Sequence, residues 1–163
     1  TSSTSVYTNT NDRVDENTHI TPKTPRQKTL LDVETTLLNQ DWCESTIVRL
    51  GGLYGGTREL GHYLSNKTNI THGNAPVNLI HQDDAVMILY EIIKQNQWGE
   101  CFNAVSDKHP TRKKLYTQKA KELNITLPHF VKDENITHKR VSNKKLKSRL
   151  HYRFLYPDPG DTS

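Results

Sequence analysis

The 163-residue sequence has no long apolar run, and only 33% of its residues are hydrophobic. No window approaches the roughly 20 apolar residues that cross a bilayer, which excludes a transmembrane helix. Cysteine is scarce: Cys43 and Cys101 stand far apart, which excludes a disulfide framework or a thiolate zinc site and reads as two reduced, cytosolic thiols. Methionine occurs once, at Met87, and the chain starts on Thr1. Nothing at that start looks like a basic segment followed by an apolar leader. The expectation is a cytoplasmic piece of a longer product. Ordinary domains carry about 45–50% apolar residues with glycine included, so the thin apolar content here also fits a piece whose partner strands lie elsewhere.

What is present alternates between strand and helix signals. Ser2-Ser3-Thr4-Ser5-Val6-Tyr7 reads as a strand end, followed by a polar loop from Thr8 to Thr24. Thr24-Pro25-Arg26-Gln27 starts a helix with a Thr cap, Pro in the first turn and Gln three residues after the cap. Leu30, Leu31, Leu37 and Leu38 then predict one buried stripe. Thr46–Leu50, Val77–His81 and Cys101–Val105 read as extended segments, and Arg58–Ser65 as a short helix. Asp83 or Asp84 is expected to cap a helix carrying Ala85, Leu89, Ile92 and Ile93 on one face. Pro110 opens the next helix, through Leu115, Tyr116, Ala120 and Leu123. A last short helix centres on Leu146 and Leu150 before a strand at Arg153–Tyr156. Strands alternating with helices imply βαβ units, an α/β fold and parallel strands that need neighbours on both sides.

Several signals carry ordinary readings beside functional ones. The net charge is +4, and from His138 to Arg153 seven Lys and Arg occur without an acid. A phosphate backbone could meet such a patch, but sparse aromatics favour a solvated amphipathic helix, and no nucleic-acid partner is expected. Asn-x-Thr triplets at Asn66, Asn69, Asn124 and Asn135 read as chance in an Asn- and Thr-rich chain. Eight histidines are present, but no HxxxH or HExxH spacing occurs, so no metal site is expected. Gly51-Gly52-Leu53-Tyr54-Gly55-Gly56 lacks the spacing of a dinucleotide turn and the P-loop lysine. It does fall at the carboxyl end of a presumed parallel strand, where open α/β sheets bind ligands. Ser2-Ser3-Thr4 and Ile80-His81-Gln82-Asp83-Asp84 occupy comparable strand ends.

Taken in order, Ser2-Ser3-Thr4-Ser5-Val6-Tyr7, Arg49-Leu50-Gly51-Gly52-Leu53-Tyr54-Gly55, Asn78-Leu79-Ile80-His81-Gln82-Asp83-Asp84-Ala85 and Lys139-Arg140-Val141-Ser142-Asn143-Lys144-Lys145-Leu146 resemble the C-terminal half of an NAD-dependent epimerase/dehydratase. This is the extended, or atypical, branch of the short-chain dehydrogenases/reductases. The resemblance covers nearly all of residues 1–163. It implies the C-terminal part of a Rossmann-like NAD(P)-binding fold, with parallel strands and a small substrate-binding subdomain. It further implies an N-terminal half bearing GxxGxxG that is absent from this sequence, holds most of the NAD or NADP, and is a partner of this one.

On that resemblance Ser3 takes the position of the catalytic Ser/Thr. Ser2, Ser3, Leu50 and Gly51 lie toward the cofactor. Gly52, Leu53, Arg58, Asn78 and His81 lie toward a small-molecule substrate such as a nucleotide sugar, and a homodimer is possible. Where the family has its Tyr and Lys, this sequence has Arg26 and Leu30. Arginine cannot act as a base at neutral pH. Tyr7, Tyr54 and His81 are therefore the candidate bases, with packing or helix capping as their other roles; Arg58 is either an anion ligand or a surface arginine. The expected activity is oxidation or epimerisation of a hydroxylated substrate, and the alternative is an NAD(P)-binding sensor or scaffold without catalysis.

Overall fold

The computed structural model describes residues 1–132 and 136–161. The central sheet has three parallel strands in the order β1 (Ser2–Ser3), β3 (Ile47–Leu50), β6 (Cys101–Ala104). Two further parallel pairs join β2 (Arg13–Val14) to β7 (Arg140–Val141), and β4 (Gly52–Tyr54) to β5 (Leu79–His81). The helices are α1 (Pro25–Leu38), α2 (Leu60–Leu64), α3 (Gln82–Lys94), α4 (Arg112–Glu122) and α5 (Lys144–Leu150). None of them is long and apolar enough to cross a membrane.

The α/β alternation read from the sequence is thus present, with all strand pairs parallel. Val48, Phe102 and Ala104 bury one face of the sheet against Ile88 and Ile92 of α3 and Leu146 and Leu150 of α5. Burying a side chain of this kind contributes about 1.5–3 kcal/mol. A second apolar group gathers Val6, Tyr7, Val14, Val105 and Val141. It ties the short β2–β7 pair to the carboxyl end of β6.

Several expectations need correction. The extended run at the start is shorter than expected: after Ser3 the chain turns into a 3-10 turn at Thr4–Val6. In α1 the leucine stripe faces the core only at its start, where Leu30 and Leu31 pack against the Val6 and Tyr7 group; Leu37 and Leu38 are 41% and 44% exposed, and the buried residue is Glu34. An ion pair described below turns that face inward. The cap of α3 is His81, whose Nδ1 accepts from the Asp83 N–H, rather than either aspartate. The buried stripe of α3 is Ala85, Ile88 and Ile92, with Ile93 61% exposed. Thr111 caps α4, so that helix starts after Pro110 rather than on it. Arg153–Tyr156 forms no strand; the backbone N–H groups of Leu155 and Tyr156 donate to Asp84 instead.

Asn66, Asn69 and Asn124 all have positive φ. Asn tolerates this backbone region better than most residues, which gives a turn-forming reason for three of the four Asn-x-Thr triplets. Asn135 lies outside the described residues. In the basic segment, Lys145 and Arg149 pair with Glu100, and Lys147 pairs with Asp107. Part of its charge is therefore bound to carboxylates on the sheet side. Among the described residues no group of three or more His, Cys, Asp or Glu is arranged to hold a metal ion.

Candidate functional site

The carboxyl ends of β1 and β3 lie side by side, with Ser3 paired to Leu50. Leaving the strand, Ser3 caps the 3-10 turn through its Oγ, which accepts from the Ser5 N–H at 3.1 Å. The Ser3 hydroxyl hydrogen stays available for a ligand. The Ser5 Oγ nearby is buried without a partner. Ser2 is engaged differently, its hydroxyl donating to Glu34 at 2.5 Å.

Gly51 and Gly52 follow Leu50 and let β5's lead-in approach closely. A Cβ on Gly51 would stand 2.8 Å from the Asn78 carbonyl oxygen, and one on Gly52 would stand 2.7 Å from Leu79 Cδ2. Their N–H groups donate to Ala104 O and Asn78 O, so neither points at a ligand. Asn78 also uses its side chain internally: Nδ2 donates to the Lys139 carbonyl at 3.0 Å, and Oδ1 accepts from the Val141 N–H at 2.8 Å. The amide that sequence reasoning assigned to substrate is thus the clamp joining β5's approach to β7.

Tyr7 is 1% exposed. Its hydroxyl donates to Asn103 at 2.9 Å and accepts from Arg49 at 2.8 Å. Arg49 also makes a forked contact with Glu34, with Nε 3.1 Å from each carboxylate oxygen and a terminal nitrogen at 2.6 Å. Burial pushes the Tyr7 phenol up to about 12 even though Arg49 draws it down. Such a phenol is no ready base at neutral pH; the geometry makes it a link in a buried polar chain. Cys101 shares this neighbourhood, and burial raises its thiol to about 11, away from nucleophilic chemistry.

Tyr54 and His81 face each other across the β4–β5 pair, edge to face with ring centroids 5.0 Å apart. Tyr156 stacks on the other side of His81 at 3.6 Å. A Cβ on Gly55, whose φ is +97, would stand 2.2 Å from His81 Nε2, so only glycine lets the loop close over this ring. Since Nδ1 caps α3, the neutral ring carries its hydrogen on Nε2. His81, Tyr54, Tyr156, exposed Arg58 and Lys119 line a cleft of about 370 Å³. Arg58, Gly52 and Leu53 border a neighbouring cleft of about 630 Å³, while Asn78 and Lys139 border a third of about 440 Å³.

The residues singled out from the sequence therefore form two groups. Ser3, Leu50, Gly51, Gly52 and Asn78 gather at the sheet's carboxyl edge. His81 and Tyr54 lie two rungs further along the β4–β5 pair, with Arg58 reaching both of the clefts beside it. Sequence reasoning missed Ser5, Gln27 and Lys139. Gln27 Nε2 donates to the carbonyls of Ser5 and Tyr7 at 3.2 and 3.3 Å, and Lys139 Nζ donates to the same Tyr7 carbonyl at 2.6 Å. Lys139 was hidden in a basic run that reads as solvated charge.

Burial sets an alkaline limit on this arrangement. Tyr7, Tyr54 and Tyr116 are each pushed up to about 12 by burial, and Tyr152 is raised by burial and by its hydrogen bond to Asp84. In the unfolded chain the phenols ionise near the ordinary tyrosine value of about 10, so the stability they give is whole below that pH and is lost as pH rises toward about 12. In a spectrophotometric titration at about 295 nm, these four of the seven tyrosines should remain protonated at about pH 11 and ionise together with unfolding. Smooth titration of all seven near 10 would contradict the burial.

No protein-family model matches the chain. Among curated proteins it is 31% identical over 160 residues to Protein YeeZ of Escherichia coli K12, a match covering 98% of this chain and 58% of that protein. The chain thus spans well under two thirds of the curated relative's length. Among solved structures it is similar to a protein of Methylobacillus flagellatus described as an NAD-dependent epimerase/dehydratase. That match has 26% identity and a TM-score of 0.80, covering 96% of this chain and 58% of that one. It also shares the fold of a UDP-glucuronic acid 4-epimerase of Bacillus cereus solved with NAD. There the identity is 19% and the TM-score 0.79, covering 98% of this chain and 56% of that one.

Proposed function

We propose that this chain, similar in structure to an NAD-dependent epimerase/dehydratase, is of that family and supplies the substrate side of an NAD(P)-dependent oxidoreductase acting on a hydroxylated substrate of the nucleotide-sugar type. The observation that carries this reading is the carboxyl edge of the central sheet. There a serine with a free hydroxyl hydrogen, Ser3, stands beside Leu50 and a two-glycine turn. A solved relative in the same fold is a UDP-glucuronic acid epimerase with NAD.

The residues present fit one end of a dinucleotide. Ser3 offers a hydroxyl, and Leu50 and Gly51 offer packing surface. The sequence has no GxxGxxG turn to hold a pyrophosphate at a helix N-terminus. A nucleotide-holding half therefore belongs to this reading as a partner. Among the described residues β1 pairs with a strand on one side only, which leaves its other edge for that half. The opposite edge of the sheet is capped within the chain, where the Glu16 carboxylate accepts the Asn103 N–H at 2.6 Å.

When bound, the dinucleotide supplies the hydride acceptor. Ser3 donates to the substrate oxygen that becomes the carbonyl, and Arg58, exposed and bordering two clefts, meets an anionic group of the substrate bidentately. The test uses the full-length protein: calorimetric titration with NAD(H) and NADP(H), then a turnover screen on nucleotide sugars. Ser3→Ala is expected to lower kcat about 10²-fold, as loss of one donor to developing charge does, with dinucleotide affinity retained. Failure to bind either dinucleotide would overturn the reading. Arg26 and Leu30, standing where the family has Tyr and Lys, favour the second reading, a dinucleotide-binding sensor. Binding without turnover, unchanged in Ser3→Ala, would select it.

A further inference from the structure

The substitution of Arg26 and Leu30 for the family's Tyr and Lys leaves the proposed oxidoreductase without its usual proton acceptor. We propose that the Lys139 amine takes that place, accepting the hydroxyl proton of the substrate at the carboxyl edge of the β1–β3 pair. The inference rests on the function proposed above and adds to it the residue that handles the proton.

Three observations support the assignment. The backbone of Lys139 is fixed from one side, since its carbonyl accepts from the Asn78 side chain, and the Asn78 carbonyl in turn lies against Gly51 and Gly52. The tip is fixed from the other side, where Nζ donates to Tyr7 O at 2.6 Å. The side chain therefore bridges from Asn78, which lies against the two glycines, to Tyr7 at the end of the 3-10 turn that follows β1. The start of α1 meets it at that same carbonyl: Gln27, the neighbour of Arg26, donates to Tyr7 O at 3.3 Å and to Ser5 O at 3.2 Å. Ser5 is itself bonded to Ser3. The amine is thus joined through shared partners to Ser3 and to the helix start where the resemblance puts the tyrosine.

The surroundings suit a group that changes protonation. Lys139 is half-buried, and among the described residues Nζ makes a single hydrogen bond, to a neutral carbonyl. It borders the cleft of about 440 Å³, where the titratable neighbours are His72, Arg112 and His138, and among the described residues no carboxylate lines it. Burial lowers its pKa from the ordinary lysine value, as expected for an ammonium removed from water. A lysine so placed serves as a base nearer neutrality than a solvated one. In the step itself the substrate hydroxyl gives its proton to the neutral amine, which becomes an ammonium ion. The C–H electron pair leaves as hydride to the dinucleotide oxidant named above, and the carbonyl remains. The reverse transfer returns the proton.

Two measurements on the full-length protein test this. Competitive labelling with acetic anhydride across pH 6–11, read by mass spectrometry of the peptide containing Lys139, should give this lysine a lower half-point than the exposed lysines. Kinetics should show an ascending limb in kcat against pH that disappears in Lys139→Met. Lys139→Met should fall about 10²–10⁴-fold in kcat, the range for removing a general base. Lys139→Arg keeps the cation and the hydrogen bond to Tyr7 but cannot accept a proton, so it should fold with an unchanged melting temperature and be equally impaired. An ordinary half-point for Lys139, or Lys139→Arg turning over within threefold of the parent with the limb intact, overturns the assignment while the proposed function stands. A lowered half-point in a protein that binds dinucleotide but turns over nothing overturns the proposed function, and the proton-transfer role with it.

Discussion

Replacing Glu34 by alanine is expected to destabilise the fold by about 3–5 kcal/mol, the range for removing one partner of a buried ion pair. Glu34 is 4% exposed and Arg49 8%. With the carboxylate gone, Arg49 would keep only the Tyr7 hydroxyl as a side-chain hydrogen-bond partner among the described residues, and Ser2 Oγ would lose the acceptor it holds at 2.5 Å. The two charges together add little net stability over a well-packed apolar pair, because desolvation offsets most of their attraction. The double change Glu34→Leu with Arg49→Met should therefore recover most of the loss. Chemical denaturation of the two variants and the parent reads both effects. A Glu34→Ala shift below about 1 kcal/mol would mean that water reaches the pair, as at exposed ion pairs.

The same pair is where the sequence was hardest to read. Leu30, Leu31, Leu37 and Leu38 have helical spacing, and nothing local says that α1 turns Glu34 inward. The reason lies 15 residues on, in a strand arginine, and a pairing between two elements leaves no periodic mark on either. The strands and α3 were legible because each has an apolar run or stripe of its own: Ile47 and Val48, Phe102 and Ala104, Ile88 and Ile92. The β2–β7 pair, two residues on each side, is too short for any pattern. His81 read as a base or as a helix cap, and its imidazole is the cap of α3. At the site, Ser3 and the two glycines were legible from their strand-end positions. Asn78 was legible as polar but not as a clamp, and Lys139 became distinct from its basic neighbours only once its side chain was seen to reach the Tyr7 carbonyl. Local chemistry reads well from sequence when a residue serves its own element, and poorly when it joins two.

Asp84 ties the start of α3 to the 152–156 segment, and Asp84→Ala is expected to cost about 4–6 kcal/mol. Its side chain is fully buried. Oδ1 accepts from the Tyr152 hydroxyl at 2.8 Å and the Leu155 N–H at 2.8 Å, and Oδ2 accepts from the Tyr156 N–H at 3.0 Å. Hydrogen bonds to a charged group are each worth about 1.5–3 kcal/mol, and a buried donor left unmet loses its solvation as well. Alanine strands all three donors, with partial relaxation of the 151–157 segment limiting the sum. Asp84→Asn keeps one acceptor oxygen and turns an amide toward another donor, so about half the loss should remain. The effect should reach the cleft, because the segment that Asp84 holds carries Tyr156, whose ring lies 3.6 Å from that of His81. In Asp84→Asn the His81 ring protons should lose the upfield ring-current shift that Tyr156 imposes. The melting temperature and the His81 proton spectrum then read the same anchor at two distances. A destabilised variant with an unshifted His81 spectrum would show that Tyr156 is held by its stacking rather than by Asp84.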